Sequence, residues 1–274
     1  MSNFLKYKNT RLKALYNVER LKADKLKEIL ADDLAGLFTH ATEICETHNA
    51  LSYKVDFDGE TLFLKSYKPA TKLRRSIREH FSPSCFDSFQ AAFELEEKEI
   101  PTPTALLAVH IPEIKKQILV TDFCQDTTSM DMAMGNDSAF DTVQIGALLA
   151  EHLVRFHMAG FYSRHLRSAN IIISKAADKL WFIDLDKMGH NWYLPKTSTF
   201  TSTVSRAGFE FFFLLSDAAA DAWLKQCFTS ALEAGLFTKD SEAAFLDAVK
   251  KDLYKRRFHT KESLTNPANI RQDD

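Results

Sequence analysis

Apolar and polar positions divide the chain into stretches of different period. From Asn3 to Leu37, Leu12, Leu15, Val18, Leu21, Leu26, Ile29 and Leu30 recur at near-helical intervals, interleaved with Lys6, Lys8, Arg11, Lys13, Arg20, Lys22, Lys25 and Lys27. This pattern predicts a basic amphipathic helix or helix pair. Its lysines either stay in water on a docked helix or form a face toward an anionic membrane or partner. Between Ala50 and Tyr67 the pattern alternates, and Asp58-Gly59 interrupts it, which predicts two strands joined by a tight hairpin turn. A basic stretch follows with Lys68, Lys72, Arg74, Arg75 and Arg78, then an amphipathic helix over CFDSFQAAFELEEKE. Gln117 to Phe123 reads as an apolar strand that turns polar at Thr121-Asp122, and CQDTTSMDMAMGNDS after it reads as a linker. From Asp141 to Met158, Val143, Leu148, Leu149, Leu153 and Phe156 predict a core-facing helical stripe, capped by Asp141 and ended by Gly160.

The chemistry gathers in GFYSRHLRSANIIISKAADKLWFIDLDKMG, residues 160 to 189. Polar residues ending in Asn170 lead into Ile171-Ile172-Ile173, a polar turn at 175–178, and a second apolar run that delivers Asp184 and Asp186. A loop feeding a β-hairpin is the predicted structure. It would bring an amide oxygen of Asn170 and a carboxylate of Asp184 toward one hard cation, an arrangement suited to Mg²⁺ carrying nucleotide phosphates.

This stretch resembles the catalytic loop and metal-binding aspartate of the protein-kinase-like fold, where H-x-D-x-x-x-x-N precedes D-F-G. Asn170 falls on the metal-binding Asn and Asp184 on the metal-binding Asp. His165 stands where the catalytic Asp would be, and Ser163 where the preceding His would be. The Phe-Leu-Lys strand at 63–65, the basic connector, the helix and Glu99-Ile100-Pro101-Thr102-Pro103 narrow the likeness further. Together they resemble bacterial lipopolysaccharide core kinases, the family of heptose and Kdo kinases and their relatives, as does the ending Asp184-Leu185-Asp186-Lys187.

The resemblance implies an α+β, two-lobed protein-kinase-like fold, with a small antiparallel β N-lobe and a mainly helical C-lobe. It implies ATP and Mg²⁺ as cofactors, with Lys65 on the α- and β-phosphates and Asn170 and Asp184 on the metal. It expects a helix acid to hold Lys65. The family's spacing lands on Ser88, so the adjacent Asp87 is the candidate acid. It makes Thr121, Asp122 and Phe123 the inter-lobe connection whose backbone meets adenine, and His165 the candidate base. The loop THNALSYKV lacks the glycines that usually cover the phosphates. The Ser- and Thr-rich run NWYLPKTSTFTSTVS falls in the activation-segment region. The implied domains are 1–36, a basic helical extension; 37–123, the N-lobe; and 124–274, the C-lobe.

Composition excludes more than it selects. A net charge of −2 over 274 residues gives no global case for nucleic acid. Cys45, Cys85, Cys124 and Cys227 form no C-x-x-C pair, so neither a zinc site nor a disulfide framework is expected, and reduced thiols point to the cytoplasm. His152 and His157, five apart, do not share a helical face. No stretch is long and apolar enough to span a bilayer, which leaves peripheral contact with anionic membrane as the rival reading of the basic segments. Three functions fit: phosphoryl transfer from ATP to a saccharide hydroxyl of a glycolipid, a pseudokinase acting in envelope biogenesis, or a kinase-like enzyme on another small molecule such as an amino sugar.

Overall fold

The computed structural model describes residues 4–9, 11–31, 34–69, 82–135, 141–163, 165–186, 188–190 and 197–265. The chain divides into two compact units, Met1–Asp126 with Trp181–Met188, and Thr127–Leu180 with Gly189–Asp274.

The first unit holds β1 (Phe4–Lys8), β2 (Lys13–Asn17), α1 (Ala23–Ala31), α2 (Ala35–Phe38), β3 (Ala41–Glu46), β4 (Ala50–Phe57), β5 (Glu60–Tyr67), α3 (Ser84–Glu97), β6 (Ala105–Ile111) and β7 (Lys116–Asp122). Its strands form one sheet in the order β1-β2-β6-β7-β5-β4-β3. Every neighbouring pair is antiparallel. The β4–β5 turn is the predicted Asp58-Gly59 pair, with φ of 55° and 82°; both central residues take the positive φ that a two-residue hairpin requires.

The helix expected from residue 3 onward is corrected here. Phe4–Lys8 and Lys13–Asn17 pair as the β1–β2 hairpin, and the helical part begins only at Ala23. Asparagine side chains do the breaking. Asn9 Oδ1 accepts the amides of Arg11 and Leu12 at 2.8 Å each. Asn17 Oδ1 accepts those of Glu19 and Arg20 at 3.0 and 3.3 Å. Such side-chain turns compete with helix. Leu12, Tyr16 and Leu21 join Leu26, Ile29 and Leu30 of α1 in a core against Leu62 and Leu64 of β5 and Ile118 and Val120 of β7. Burying each of these larger apolar side chains stabilises the unit by about 1.5–3 kcal/mol relative to exposure. The phenylalanines of α3 form a second cluster: Phe4 of β1 meets Phe89 edge-on at 5.7 Å and Phe93 at 5.2 Å.

The second unit contains β8 (Thr127–Ser129), α4 (Met130–Gly135), α5 (Thr142–Met158), β9 (Phe161–Ser163) and β10 (Ile171–Ser174). After β11 (Leu180–Phe182) and β12 (Met188–His190) come α6 (Thr197–Ala207), α7 (Phe209–Leu214), α8 (Asp217–Glu233) and α9 (Glu242–Thr265). Asp141 caps α5 as expected, accepting from Val143 and Gln144. Leu149, Leu153 and Phe156 are fully buried, whereas Val143, placed on the stripe by sequence, is 72% exposed in the first turn. Gly160 at φ 86° follows the helix. Trp223 of α8 packs on Phe211 of α7, ring centroids 5.1 Å apart. Its indole also lies so close to Gly208 and Gly146 that a Cβ on either glycine would sit 1.9 or 2.9 Å from it. Among the described residues, no helix is long and apolar enough to cross a membrane.

Candidate functional site

Strand alternation decides which way Lys65 points. On β5, Leu62 and Leu64 face the α1 core, so Phe63, Lys65 and Tyr67 share the opposite face. Lys65 sits in register between Ser52 of β4 and Leu119 of β7, which makes it an interior-strand lysine with its side chain only 15% exposed. A charge so placed needs partners. Its ammonium donates to Asp184 and, at 2.9 Å, to Asp186 Oδ2.

Both aspartates come from the segment 181–188, which belongs with the first unit. The Pro-Thr-Pro turn fixes that segment: the Phe182 amide donates to the Pro101 carbonyl at 3.0 Å, and the Thr102 hydroxyl donates to the Phe182 carbonyl at 3.0 Å. Asp184 then takes φ 56°, a left-handed conformation that Asp adopts more readily than most residues and that recurs at functional positions.

Asp186 accepts from three side chains, Lys65, Ser88 and Tyr67. Its Oδ1 accepts from the Ser88 hydroxyl at 2.6 Å and the Tyr67 phenol at 2.7 Å. Burial alone would push the Asp186 carboxyl up, but Lys65 and these hydroxyl donors hold it below the usual carboxylate range. Burial likewise opposes the charge of Lys65, and Asp186 and Asp184 outweigh it, so its pKa is raised. Burial, aided by the charge of Asp186, pushes the Tyr67 phenol well up, which keeps it a proton donor.

The acid expected on the helix does not serve Lys65. Asp87 lies in the first turn of α3 and accepts from Ser82 at 2.7 Å, while Ser88 at the next position bonds Asp186. Sequence reading passed over Tyr67, although its place two residues beyond Lys65 on the same strand face was available as a signal.

The connection residues are engaged within their own unit. Thr121 is buried in the β7 ladder and donates its hydroxyl to the Asp122 carbonyl at 3.2 Å. The Asp122 amide donates to Thr104 O at 3.0 Å, and its carboxylate receives both guanidinium nitrogens of Arg20 at 2.9 Å. The Phe123 amide donates to Thr61 O at 3.3 Å, and its ring lies 5.5 Å from the Lys54 ammonium. The glycine-free loop between β3 and β4 is closed by Thr47, whose hydroxyl bonds both backbone groups of Ala50. Lys68 ties down the same loop, donating to Glu46 at 2.5 Å and to Thr47 O at 2.8 Å. That lysine of the expected basic cluster is therefore ion-paired; Lys72, Arg74, Arg75 and Arg78, like Lys187, lie outside the described residues.

In the second unit, Asn170 ends a short 3-10 turn, Ser168–Asn170, just before β10. Its Nδ2 donates to the His165 carbonyl at 2.8 Å, and the His165 amide donates to the Ser163 hydroxyl at 3.1 Å. The turn before β11 is closed by Ser174, whose hydroxyl donates to Asp178 at 2.6 Å. The Ser- and Thr-rich run is helical from Thr197, with Thr201, Thr203 and Ser205 donating back to carbonyls four residues earlier.

No protein-family model matches the sequence, and no curated protein does. Among solved structures the chain is similar to WaaP in complex with acyl carrier protein, at 16% identity over 86% of this chain and 97% of that one, with a TM-score of 0.59. It is also similar to the bifunctional kinase-methyltransferase WbdD, at 14% identity over 74% of this chain and 42% of that one (TM-score 0.48), and to an apo pseudokinase, at 15% identity over 85% and 88% (TM-score 0.48). At these identities the likeness speaks for the fold, which is α+β and protein-kinase-like.

Proposed function

We propose that the chain is a lipopolysaccharide-core sugar kinase-like phosphotransferase, moving the γ-phosphoryl group of ATP to a saccharide hydroxyl of heptose or Kdo type with Mg²⁺. The observation that carries this reading is the ion pair between Lys65, held on an interior strand, and Asp184 in its left-handed turn. The donor set of the first unit fits the cofactors: an ammonium for phosphate oxygens and a carboxylate for a hard cation, to which the resemblance would add the amide oxygen of Asn170. Mg²⁺ would supply charge neutralisation on the phosphates. The protein's own residues would orient the nucleotide through Lys65 and hold the loop at Asn170 through its bond to the His165 carbonyl. Phosphoryl transfer depends mainly on positioning and electrostatics, so a histidine in place of the catalytic aspartate is compatible with turnover; neutral imidazole can accept a proton near its reference pKa of about 6.5.

A second reading, a pseudokinase with a nucleotide-binding or regulatory role in envelope biogenesis, is favoured by His165 at the base position and by the glycine-free β3–β4 loop. Contact with a glycolipid acceptor at an anionic membrane is part of the first reading. Purified protein incubated with radiolabelled ATP, Mg²⁺ and lipopolysaccharide precursors separates the two. Label on the saccharide, lost in Asp184→Ala, supports the kinase; Mg²⁺-dependent ATP binding without transfer to any precursor supports the pseudokinase. Absence of ATP binding overturns the kinase and the nucleotide-binding form of the second reading, leaving a regulatory role alone.

A further inference from the structure

Lys65 is bonded to two aspartates that differ in how they are held. Asp186 Oδ2 receives the ammonium at 2.9 Å, and Oδ1 is occupied by two hydroxyl donors from two different elements, Tyr67 on β5 and Ser88 on α3. Those hydroxyls are themselves 3.3 Å apart, and both residues are buried, at 5% and 1% exposure. An ionised carboxylate only accepts, so these donors fix its orientation as well as its charge. The Lys65 ammonium also lies 5.0 Å from the centre of the Tyr67 ring, which adds a favourable face to the same pocket. Asp184 occupies the turn, with its side chain 34% exposed against 25% for Asp186.

We propose that Asp186 is the positioning residue that holds Lys65 in place, doing from the segment after β11 what the resemblance assigned to an acid on α3, while Asp184 is the partner Lys65 releases when a cation binds. The helix takes part with reversed polarity: Ser88 donates a proton to the carboxylate, where a helix acid would have accepted one from the lysine. The position of α3 is thus transmitted to Lys65 through the Ser88–Asp186 bond. This assignment rests on the nucleotide-binding reading for its purpose and on the hydrogen bonds alone for its geometry.

The test uses the full chain in two arms. In the first, the ¹⁵Nζ–H cross-peak of Lys65, assigned with Lys65→Met, is recorded without nucleotide; a lysine ammonium gives this signal only when bonding slows its proton exchange. Asp186→Asn should lose the peak and Asp184→Asn should keep it. Ser88→Ala and Tyr67→Phe should each broaden it, and the exchange Asp186→Ser with Ser88→Asp should restore it. In the second, calorimetric titration with ATP should show Asp186→Asn weakened at least about tenfold both with Mg²⁺ and with chelator, and Asp184→Asn weakened only when Mg²⁺ is present. If Asp186→Asn does not fold, Ser88→Ala combined with Tyr67→Phe carries the first arm. Loss of the peak in Asp184→Asn with its persistence in Asp186→Asn, or in the double hydroxyl variant, overturns the assignment. If the wild type binds no nucleotide, the functional reading fails, while the first arm still decides who holds Lys65.

Discussion

Replacing Lys65 by methionine keeps the four-atom apolar stem of the side chain and removes the terminal ammonium, so the cavity left is small beside the loss of the charge. Two carboxylates are then left facing a neutral group. Breaking a fully buried pair costs about 3–5 kcal/mol and an exposed pair about 0–1. The side chains here are 15% exposed for Lys65, 25% for Asp186 and 34% for Asp184, and Ser88 and Tyr67 still solvate Asp186. The expected loss is therefore intermediate, about 2–3 kcal/mol, or roughly 5–10 °C in Tm for a chain of this size. The pH dependence gives a second check. In the wild type the Asp186 pKa is depressed, so its contribution is present above the unfolded value of about 3.9 and is lost as pH falls through the folded value. Removing Lys65 takes away the largest cause that holds the carboxyl down, so its pKa moves up, and the deficit of the variant is greatest near neutrality and shrinks on acidification. Melting curves by circular dichroism between pH 4 and pH 8 measure both effects. A variant within 2 °C of wild type at pH 7, or a gap that widens toward pH 4, would refute the reasoning.

Gly208→Ala should cost about 3 kcal/mol or more, because its Cβ would fall 1.9 Å from the Trp223 ring, and the ring has little room to move away, since even a Cβ built on Gly146 would stand 2.9 Å from its other end; adding Trp223→Leu should recover part of the lost Tm, and full additivity of the two losses would count against the clash. Asp252 accepts from the Ser205 hydroxyl and from Arg256 at 2.9 Å, and despite partial burial its pKa is held low. Its contribution is thus present above the unfolded carboxylate pKa and is lost as pH falls through the lower folded one, so Asp252→Asn should lower Tm at pH 7, with the gap to wild type closing only on strong acidification. For His165, turnover that falls as pH drops through the imidazole titration, and about 10²-fold lower turnover in His165→Ala, would mark a working base; turnover appearing only in His165→Asp would mark a pseudokinase.

What was legible in the sequence, and what was not, follows the range of the forces involved. The β4–β5 hairpin was legible because Asp58-Gly59 states its own turn chemistry, and α5 because Asp141 and Gly160 punctuate a long period. The β1–β2 hairpin was not: the lysines of β1 and the short apolar run of β2 fit a helical count, and the decision lay with Asn9 and Asn17, whose side chains replace helical hydrogen bonds. Helix α6 was passed over for the opposite reason, since its hydroxyl residues suggest a loop while Phe200, Val204 and Ala207 at i, i+4 and i+7 are the buried stripe. Motif order assigned Lys65 to the nucleotide phosphates and Asp184 to the metal, but not their bond to one another. The pairing of Asp186 with Ser88 and Tyr67 was not legible, because it depends on where α3 sits over the sheet.

The position of β2 has a consequence for how the chain is made. All seven residues of β6 are buried, and β2 supplies the partner along one side of it, Lys13 against His110 through Tyr16 against Leu107. The two strands lie roughly ninety to a hundred residues apart in sequence, so the β1–β2 hairpin, made well before β6, must wait for it before its ladder can close. At synthesis rates of about 5–20 residues per second, that delay is on the order of 5–20 s. Trimming the chain before Ala23 would make the wait permanent, leaving β6 as a long apolar edge open to other copies.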